Sequence, residues 1–514
     1  MKSFKPVFLC EVKGAAETQQ VESVRNAKND INTVVIAENA PGYRVKESSR
    51  LVDRWLDKFV RLAGSAPVFL VIVSGLLTWA LMGIRFGDSD VWVAAISDVQ
   101  AILCYVFDSL LMRQLLREYT EQREAMVRIM SRCNSHHRML LKVKNRLGSE
   151  GIRVISEKCQ DEPLEPLDHG LRTQSLFARC IIFSAKKFGH IITVGMYWVC
   201  IFIWLGFGPK CDWSNRWQLY INDATSALMV LVFAFLACLR ECYADYTNTC
   251  LDAIFRLDST LEGELRLLSE DDVPNPVEVD IPAKENYLQK VIYYYADIVG
   301  TLVGILVLVA VIITWAAVGP VFHFNNTWWL LIGTYAGLVG LFDSFVLRNV
   351  QNKVHQNTKC QVRHAEAFDT TLFAGLSVPI PAVKDPKAPS LSRRVSRKMD
   401  AVSSHLLMVV AGFIVTIGCL VASSAMRWSL TGQLISNVPP SIIETFFMLI
   451  LITGQNDAEA GARVDLTNVY YRRQRLLSFM KHASDYCQKQ DESEAATDTQ
   501  VWLSFPEFYN RSTD

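Results

Sequence analysis

The sequence predicts an all-α polytopic membrane protein, with about eight transmembrane helices arranged as four parallel hairpin repeats with cytosolic helical extensions. Three observations predict this class: the composition, the length of the apolar stretches and a repeated motif. Of the 514 residues, 50% are hydrophobic and 20% are charged, and the mean hydropathy is +0.18. Lys+Arg and Asp+Glu both total 52. This zero balance argues against a nucleic-acid-binding protein.

Eight apolar stretches account for the hydropathy, and they come in pairs joined by short polar turns. They cover residues 65–84, 91–112, 188–207, 217–239, 296–319, 328–347, 404–425 and 433–453. A helix of about 20 residues crosses the roughly 30 Å of bilayer hydrocarbon. The second stretch of each pair carries carboxylates. Because a charged group at membrane depth is costly, these second helices are expected to face protein or water.

The distribution of Lys and Arg predicts the topology. The turns inside the hairpins contain only Arg85, Lys210, Arg216 and Arg427, whereas the flanks outside the hairpins are rich in basic residues. Since basic residues mark the cytoplasmic side, both termini are predicted to be cytosolic and the four turns to face outward.

A Trp–Gly–Trp motif recurs with identical spacing in three hairpins. Its copies are Trp79-x3-Gly83-x8-Trp92, Trp204-x3-Gly208-x8-Trp217 and Trp315-x3-Gly319-x8-Trp328. Trp is typical of the membrane interface, and we expect the Gly to permit a tight reversal between helices. The fourth hairpin has lost both Trp positions. All four hairpins begin and end on one side, so they are parallel repeats around an axis normal to the membrane. We expect the second helices to turn inward, and a structure with these helices facing lipid would contradict this arrangement.

The repeats divide the chain into nine predicted units. These are a cytosolic N-terminal segment (1–45), repeat 1 with its cytosolic helix (46–147), a loop (148–180), repeat 2 (181–272), a linker (273–286), repeat 3 (287–363), a linker (364–395), a divergent repeat 4 (396–484) and a cytosolic tail (485–514). Residues 113–147 read as an amphipathic helix that extends the second helix of repeat 1 and packs against the other repeats.

Several motifs together resemble the low-affinity iron permease family. They are Gly64-Ser65, Leu77-Thr78-Trp79-Ala80, Phe86-Gly87-Asp88-Ser89-Asp90-x-Trp92, the W-Q-L-x-I-N opening at 217–222, and the Gln-Asn pairs at 351–352 and 455–456. The resemblance covers the four hairpins. It implies a multi-pass plasma-membrane protein that imports ferrous iron with low affinity, with zinc, copper, cobalt or manganese as further substrates.

Polar residues on the second helices are the candidate metal ligands. They are Asp98, Asp108, Asn222, Asp223, Asp343, Asn437 and Glu444. Such oxygen ligands suit Fe²⁺ only moderately, and weak binding at several stations is what passage through a membrane requires. The alternative for Asp108 and Asp343 is a structural ion pair with Arg113 and Arg348, each five residues further on. The sequence favours neither interpretation for these two acids.

Other classes of function lack their motifs. No Walker loop, GxSxG or HExxH occurs, so no enzymatic activity is expected, and no His pair lies in the membrane to bind haem. We expect no resident cofactor, with Fe²⁺ as the transported ion, and no nucleic-acid partner. The expected partners are the divalent metal and the lipid bilayer, and a homodimer is left open. The alternative functions are a non-selective cation channel or a metal sensor of the membrane, and a structural scaffold is a third.

Overall fold

The computed structural model describes residues 6–19, 40–45, 51–87, 90–160, 162–167, 175–282, 284–324, 326–381 and 391–503. Within these ranges the chain forms twelve α-helices and one pair of three-residue strands. Seven helices are long and apolar enough to cross a membrane, and a bent helix pair makes an eighth span. The predicted all-α membrane class is therefore confirmed.

Each of the four repeats contains an interfacial helix, an outer helix and an inner helix, in that order. Repeat 1 has α1 (Leu51–Ala63), α2 (Ala66–Phe86) and α3 (Asp90–Gln160); repeat 2 has α4 (Leu176–Phe188), α5 (Ile191–Phe207) and α6 (Asn215–Ser269); repeat 3 has α7 (Tyr287–Val299), α8 (Leu302–Val318) and α9 (Asn326–Leu376); repeat 4 has α10 (Leu391–Ser403), α11 (Leu406–Ala425) and α12 (Leu430–Leu503).

The inner helices surround a common axis and the outer helices face the bilayer. The most apolar windows of α2, α5 and α11 are at most 17% buried, whereas those of the four inner helices are at least 67% buried. The outer helices are apolar on all sides, so lipid can solvate them. The inner helices carry the polar groups, which protein neighbours must surround. The inward orientation expected for the second helices is confirmed.

The interfacial helices are four 13-residue elements that the sequence analysis did not separate from the transmembrane stretches. They combine basic residues with large exposed apolar side chains, among them Trp55, Phe183 and Tyr287. This pattern is typical of a helix that lies in the plane of a membrane surface. A bend of 63° separates α7 from α8, as such an orientation requires.

The repeated Trp residues form stacked pairs that join the outer and inner helices of a hairpin. The ring centroids are 4.5 Å apart in Trp79–Trp92, 3.9 Å in Trp204–Trp217 and 4.3 Å in Trp315–Trp328. In each pair the indole Nε1 of the first Trp donates to the backbone oxygen of the second. In the first and third pairs the second indole also donates back to the backbone oxygen of the first Trp. Stacking together with these hydrogen bonds requires a fixed separation of 13 residues, which explains the identical spacing.

The motif glycines have a different role from the one predicted. Gly208 and Gly319 have ordinary right-handed φ values of −49° and −48°, so neither needs the freedom of a left-handed turn. A Cβ atom would lie 2.5 Å from the Trp92 ring at Gly83, 2.4 Å from the Trp213 ring at Gly208 and 2.4 Å from the Phe324 ring at Gly319. The glycines therefore make room for an aromatic ring.

The fourth hairpin replaces the stacked indoles with hydroxyl groups. Ser423 donates to the backbone oxygen of Gly432, and the hydroxyls of Ser423 and Ser436 are hydrogen-bonded to each other. These serines are small, so the helices of repeat 4 meet closely without aromatic rings between them.

The spatial order of the repeats around the axis is 1–2–4–3. The inner helix α3 packs against α6 and α9, and α12 packs against the same two helices.

The break after each interfacial helix contacts an inner helix of a neighbouring repeat. In repeats 1 and 3 the contact is made by a glycine: Gly64 lies against Ala237 of α6, and Gly300 lies against Leu116 of α3. In repeats 2 and 4 it is a hydrogen bond from an asparagine: Asn456 of α12 donates to Ala185 O, and Asn352 of α9 donates to Ser404.

The inner helices continue far beyond the apolar stretches and form a helical bundle at the end of the hairpins where the interfacial helices lie. As predicted, residues 113–147 extend α3, which then breaks at Gly148 (φ 67°) before its last turns. Helix also occupies parts of the predicted loop at 148–180 and linker at 364–395, because α3 ends at Gln160 and α9 at Leu376. The N-terminal segment adds strand β1 (Val12–Gly14), which pairs antiparallel with β2 (Glu278–Asp280) in the linker after repeat 2.

Candidate metal path

The outermost polar group on the axis lies between α3 and α6. Asn222 donates to the Ser97 hydroxyl at 2.8 Å, and Ser97 in turn donates to Asp223 Oδ1 at 3.3 Å. Asp223 is 5% exposed and its Oδ2 has no hydrogen-bond partner among the described residues. The side chain of Asp98, predicted as the equivalent of Asp223, lies outside the part of the chain that the structure describes.

Repeats 3 and 4 contribute another polar group at the interface between α9 and α12. Asn437 is 4% exposed, and its Oδ1 has no hydrogen-bond partner within the described residues. Its amide lies against Gly333 and Gly337. Because these positions carry no side chain, the two helices approach closely and the Asn437 amide remains available to a ligand.

Three of the predicted acids lie near one another further along the axis than Asp223 and Asn437. We call these three residues, Asp108, Asp343 and Glu444, the acid layer. Each is 1% exposed. Asp108 interacts electrostatically with both of the others, and Glu444 interacts with Asp343. Both oxygens of Asp108, Oδ2 of Asp343 and Oε1 of Glu444 have no hydrogen-bond partner among the described residues. Burial of an unpaired carboxylate is strongly unfavourable, so the three acids are the main candidates for a functional group on the axis.

The structural ion pairs considered for Asp108 and Asp343 do not form. Arg113 binds Asp57 at 2.9 Å and Asp53 at 3.5 Å, both on the interfacial helix α1. Arg348 pairs with Asp400 on α10. Residues five apart on a helix point in different directions, so these arginines face the interfacial helices while the acids face the axis.

The acid layer has polar neighbours that the sequence analysis missed. The Tyr295 hydroxyl, from interfacial helix α7, donates to Asp343 Oδ1. Cys104, one turn before Asp108 on α3, lies within electrostatic range of Asp108 and Glu444. No periodic signal identifies Tyr295, because it stands in a run of three tyrosines of which the fold selects one.

Within the described residues, the acid layer is not a closed cage for a metal ion. Among the side chains that the structure describes, no three His, Cys, Asp or Glu groups converge closely enough to hold one metal ion. An ion in the acid layer would therefore keep part of its hydration shell. Such incomplete coordination is typical of weak binding and rapid release.

Two arginines lie between the acid layer and the helical bundle. Arg240, which is 3% exposed, donates through Nη1 to Leu111 O at 3.3 Å, and its Nε and Nη2 have no hydrogen-bond partner within the described part of the chain. Arg348 lies within electrostatic range of Arg240. The charge of Arg348 is paired with Asp400, so Arg240 is the guanidinium that can act as an electrostatic barrier to a cation at this level.

Acidic side chains follow these arginines beyond the membrane-spanning segments. Burial raises the pKa of Glu118, which interacts with Arg240. Burial also raises the pKa of Glu459 to about 7, and the neighbouring Glu118 adds to this shift while Arg463 opposes it. The pKa of Glu121 is raised to about 6, mainly by burial. Glu459 and Glu121 therefore keep part of their protons near neutral pH.

The axis is closed further along by the core of the helical bundle. Arg473 of α12, which is fully buried, binds Asp258 of α6 at 3.0 Å and Asp369 of α9 at 2.8 Å. A tightly packed apolar cluster surrounds this group. The axis is therefore filled by side chains at this level and leaves no continuous opening along it among the described residues.

Comparison with known proteins places the chain in a family. A family model described as "Low affinity iron permease" matches residues 288–367 and 392–494, which correspond to repeats 3 and 4. The "Low-affinity iron/zinc ion transport protein fet4" of Schizosaccharomyces pombe is 30% identical over 489 residues, covering 91% of this chain and 82% of that protein. The chain belongs to the low-affinity iron permease family.

A second relative supports the same assignment. The "Low-affinity Fe(2+) transport protein" of Saccharomyces cerevisiae is 32% identical over 464 residues, covering 84% of each chain. No solved structure matches the chain. The predicted resemblance is thus confirmed, and it extends to repeat 4 despite the lost tryptophans. Members of this family are permeases, so the chain is a transporter and not an enzyme.

Proposed function

We propose that this permease imports ferrous iron with low affinity across the plasma membrane, along the axis between its four inner helices. The observation that carries the proposal is the acid layer, in which four carboxylate oxygens face the axis with no hydrogen-bond partner among the described residues. Its relatives are named as iron or iron/zinc transport proteins. Zinc, copper, cobalt and manganese are further candidate substrates, because oxygen ligands discriminate only weakly among divalent ions.

The proposed route begins at Asn222, Asp223 and Asn437 and continues to the acid layer. Each station offers one or two oxygens, so the ion exchanges a few water molecules at a time and no site retains it. The membrane potential supplies an inward drive on the order of 4–5 kcal/mol for a divalent ion at 100 mV. Iron is substrate throughout, and the route needs no resident cofactor.

The proposed topology places both termini in the cytosol. Support comes from the interfacial helices, which carry basic residues and lie at the same end of the hairpins as the helical bundle. One chain supplies all four repeats around the axis, so the route does not require a second copy. A homodimer would therefore hold two separate routes.

The proposal is tested by measuring initial rates of radioactive Fe²⁺ uptake in cells that lack high-affinity iron import. We expect Asp108→Asn and Asp223→Ala each to reduce uptake at least about tenfold at equal surface amounts, since about 1.4 kcal/mol of lost binding corresponds to tenfold. The matched control is Asp252→Asn, because Asp252 forms an exposed ion pair with Arg256 in the helical bundle. Unchanged uptake in Asp108→Asn, Asp223→Ala and Asp98→Ala would exclude this route.

Recordings of Na⁺ and K⁺ currents and measurements of Fe²⁺ binding, made beside the uptake assay, separate the alternative functions. A non-selective channel would carry Na⁺ and K⁺ currents of similar size to the Fe²⁺ flux, and those currents would persist without iron. A metal sensor would bind Fe²⁺ without mediating uptake. The acid layer favours a transport route over a sensor, because it offers weak, incomplete coordination where a sensor needs a retained ion.

A further inference from the structure

A large apolar crevice lies on the lipid-facing side of repeat 2, away from the axis. It encloses about 530 Å³ between α2 of repeat 1, α4, α5 and α6 of repeat 2, and α12 of repeat 4. This volume is in the range of small-molecule binding sites. Its walls include Phe69, Phe188, Met196, Leu228 and Leu449.

The crevice offers almost no hydrogen-bonding capacity to an occupant. Three of the hydroxyl groups on its walls already donate to backbone oxygens: Thr193 to Lys187 O, Thr225 to Ile221 O and Tyr197 to Ile442 O. A polar ligand would therefore lose its hydrogen bonds to water without replacement. A sterol that entered the crevice fully would likewise lose the hydrogen bonds between its hydroxyl group and water. An acyl chain has no such cost.

The cytosolic end of the crevice has a basic edge. Arg179, Lys186 and Lys187 stand on interfacial helix α4 and are exposed, and none of them forms an ion pair within the described residues. Cys180 and Phe188 of the same helix line the crevice. Positive charge at this level is complementary to the anionic lipids of the cytoplasmic leaflet.

We propose that this crevice is a binding site for an anionic phospholipid, with one acyl chain between α2 and α5 and the phosphate headgroup on the basic edge of α4. The lipid fills the gap between the outer helices of repeats 1 and 2 and so completes the packing around α6. The inference uses one part of the proposed function, the topology that places α4 at the cytoplasmic leaflet. It does not depend on which ion is transported.

The test places the full chain in phosphatidylcholine nanodiscs with or without phosphatidylserine, extracts it with mild detergent and counts the retained phospholipids by native mass spectrometry. We expect one phosphatidylserine per wild-type chain. Ala224→Phe should reduce its retention at least tenfold, because Ala224 is exposed on the crevice wall and a phenyl ring would occupy the space of the acyl chain. The matched control is Ala310→Phe, on the exposed face of α8 and outside this crevice.

A second variant tests the headgroup without filling the crevice. Lys186→Gln together with Lys187→Gln should lower the preference for phosphatidylserine roughly fivefold per lysine. Retention of no lipid by the wild type, or equal retention by Ala224→Phe and Ala310→Phe, would overturn the proposal. Equal retention of phosphatidylcholine would overturn the anionic headgroup. None of these measurements involves metal, so their failure is distinct from a failure of iron uptake.

Discussion

Replacing Asp108 by Asn should make the permease more stable and less active at the same time. The Asp108 side chain is 1% exposed, and neither of its oxygens has a hydrogen-bond partner among the described residues. A buried polar group without a partner costs about 1–3 kcal/mol. An amide has nearly the same shape, removes the negative charge beside Asp343 and Glu444, and adds two donors. We therefore expect the free energy of unfolding to rise by about 1–3 kcal/mol.

The loss of activity follows from the same charge. One unit charge attracts a divalent ion at about 5 Å by roughly 7 kcal/mol at an effective permittivity of about 20. The free energy of removing water from the ion and the carboxylate has to be subtracted from this value. If a quarter of this attraction is left after the cost of dehydration, removing the Asp108 charge lowers the occupancy of the acid layer by the metal ion more than tenfold. Initial Fe²⁺ uptake should fall by at least that factor.

Thermal unfolding of the purified protein and uptake in cells are the two measurements. The control is Asp258→Asn, because Asp258 is an equally buried acid that binds Arg473. That variant leaves a buried guanidinium with one partner fewer and should lose about 3–5 kcal/mol. If Asp108→Asn instead lowers the melting temperature, and uptake falls only in proportion to the folded protein, Asp108 is a structural residue and the reasoning is wrong.

Three further predictions concern other parts of the molecule. Trp315→Phe removes one hydrogen bond to Trp328 O and should cost about 0.5–1.5 kcal/mol, whereas Trp315→Ala also removes the stacked ring and should cost about 3–5 kcal/mol in thermal unfolding; equal losses would contradict a role for stacking. Arg240→Gln lowers the barrier below the acid layer and should raise Fe²⁺ uptake several-fold at equal surface amounts, and a decrease would assign Arg240 to structure alone. Glu459 has a folded-state pKa of about 7, above its unfolded value of about 4.3, so the folded protein binds more protons in between. Stability should therefore fall as the pH rises from about 5 through 7, and Glu459→Gln should flatten this dependence in melting curves taken across that range.

The sequence predicted the features that depend on local periodicity. The apolar stretches have the length of a membrane span, and the Trp spacing marks each hairpin, so the eight spans and the inner position of the acid-bearing helices followed. The acid layer was predicted as separate residues, Asp108, Asp343 and Glu444. Their convergence could not be predicted, because it depends on the 1–2–4–3 order of repeats that are far apart in the chain.

Other features were missed because long-range contacts decide them. The interfacial helices merge with the basic flanks in sequence, and only the fold shows that Asp57 of α1 takes Arg113 as its partner. The motif glycines were expected to serve a tight turn, yet their neighbours are the aromatic rings of Trp92, Trp213 and Phe324. A glycine that admits a ring and a glycine that permits a left-handed turn look identical in a sequence.

The order of the repeats around the axis also has a consequence for biosynthesis. Repeat 2 emerges beside repeat 1, repeat 3 returns to the free side of repeat 1, and only repeat 4 contacts both open ends. Each newly made repeat thus finds a neighbour already in the bilayer. The ring closes with the last hairpin, and Glu444 on that hairpin completes the acid layer. A chain that stops before repeat 4 would leave Asp108 and Asp343 without Glu444 beside them, so the proposed route would not be enclosed in an incomplete product.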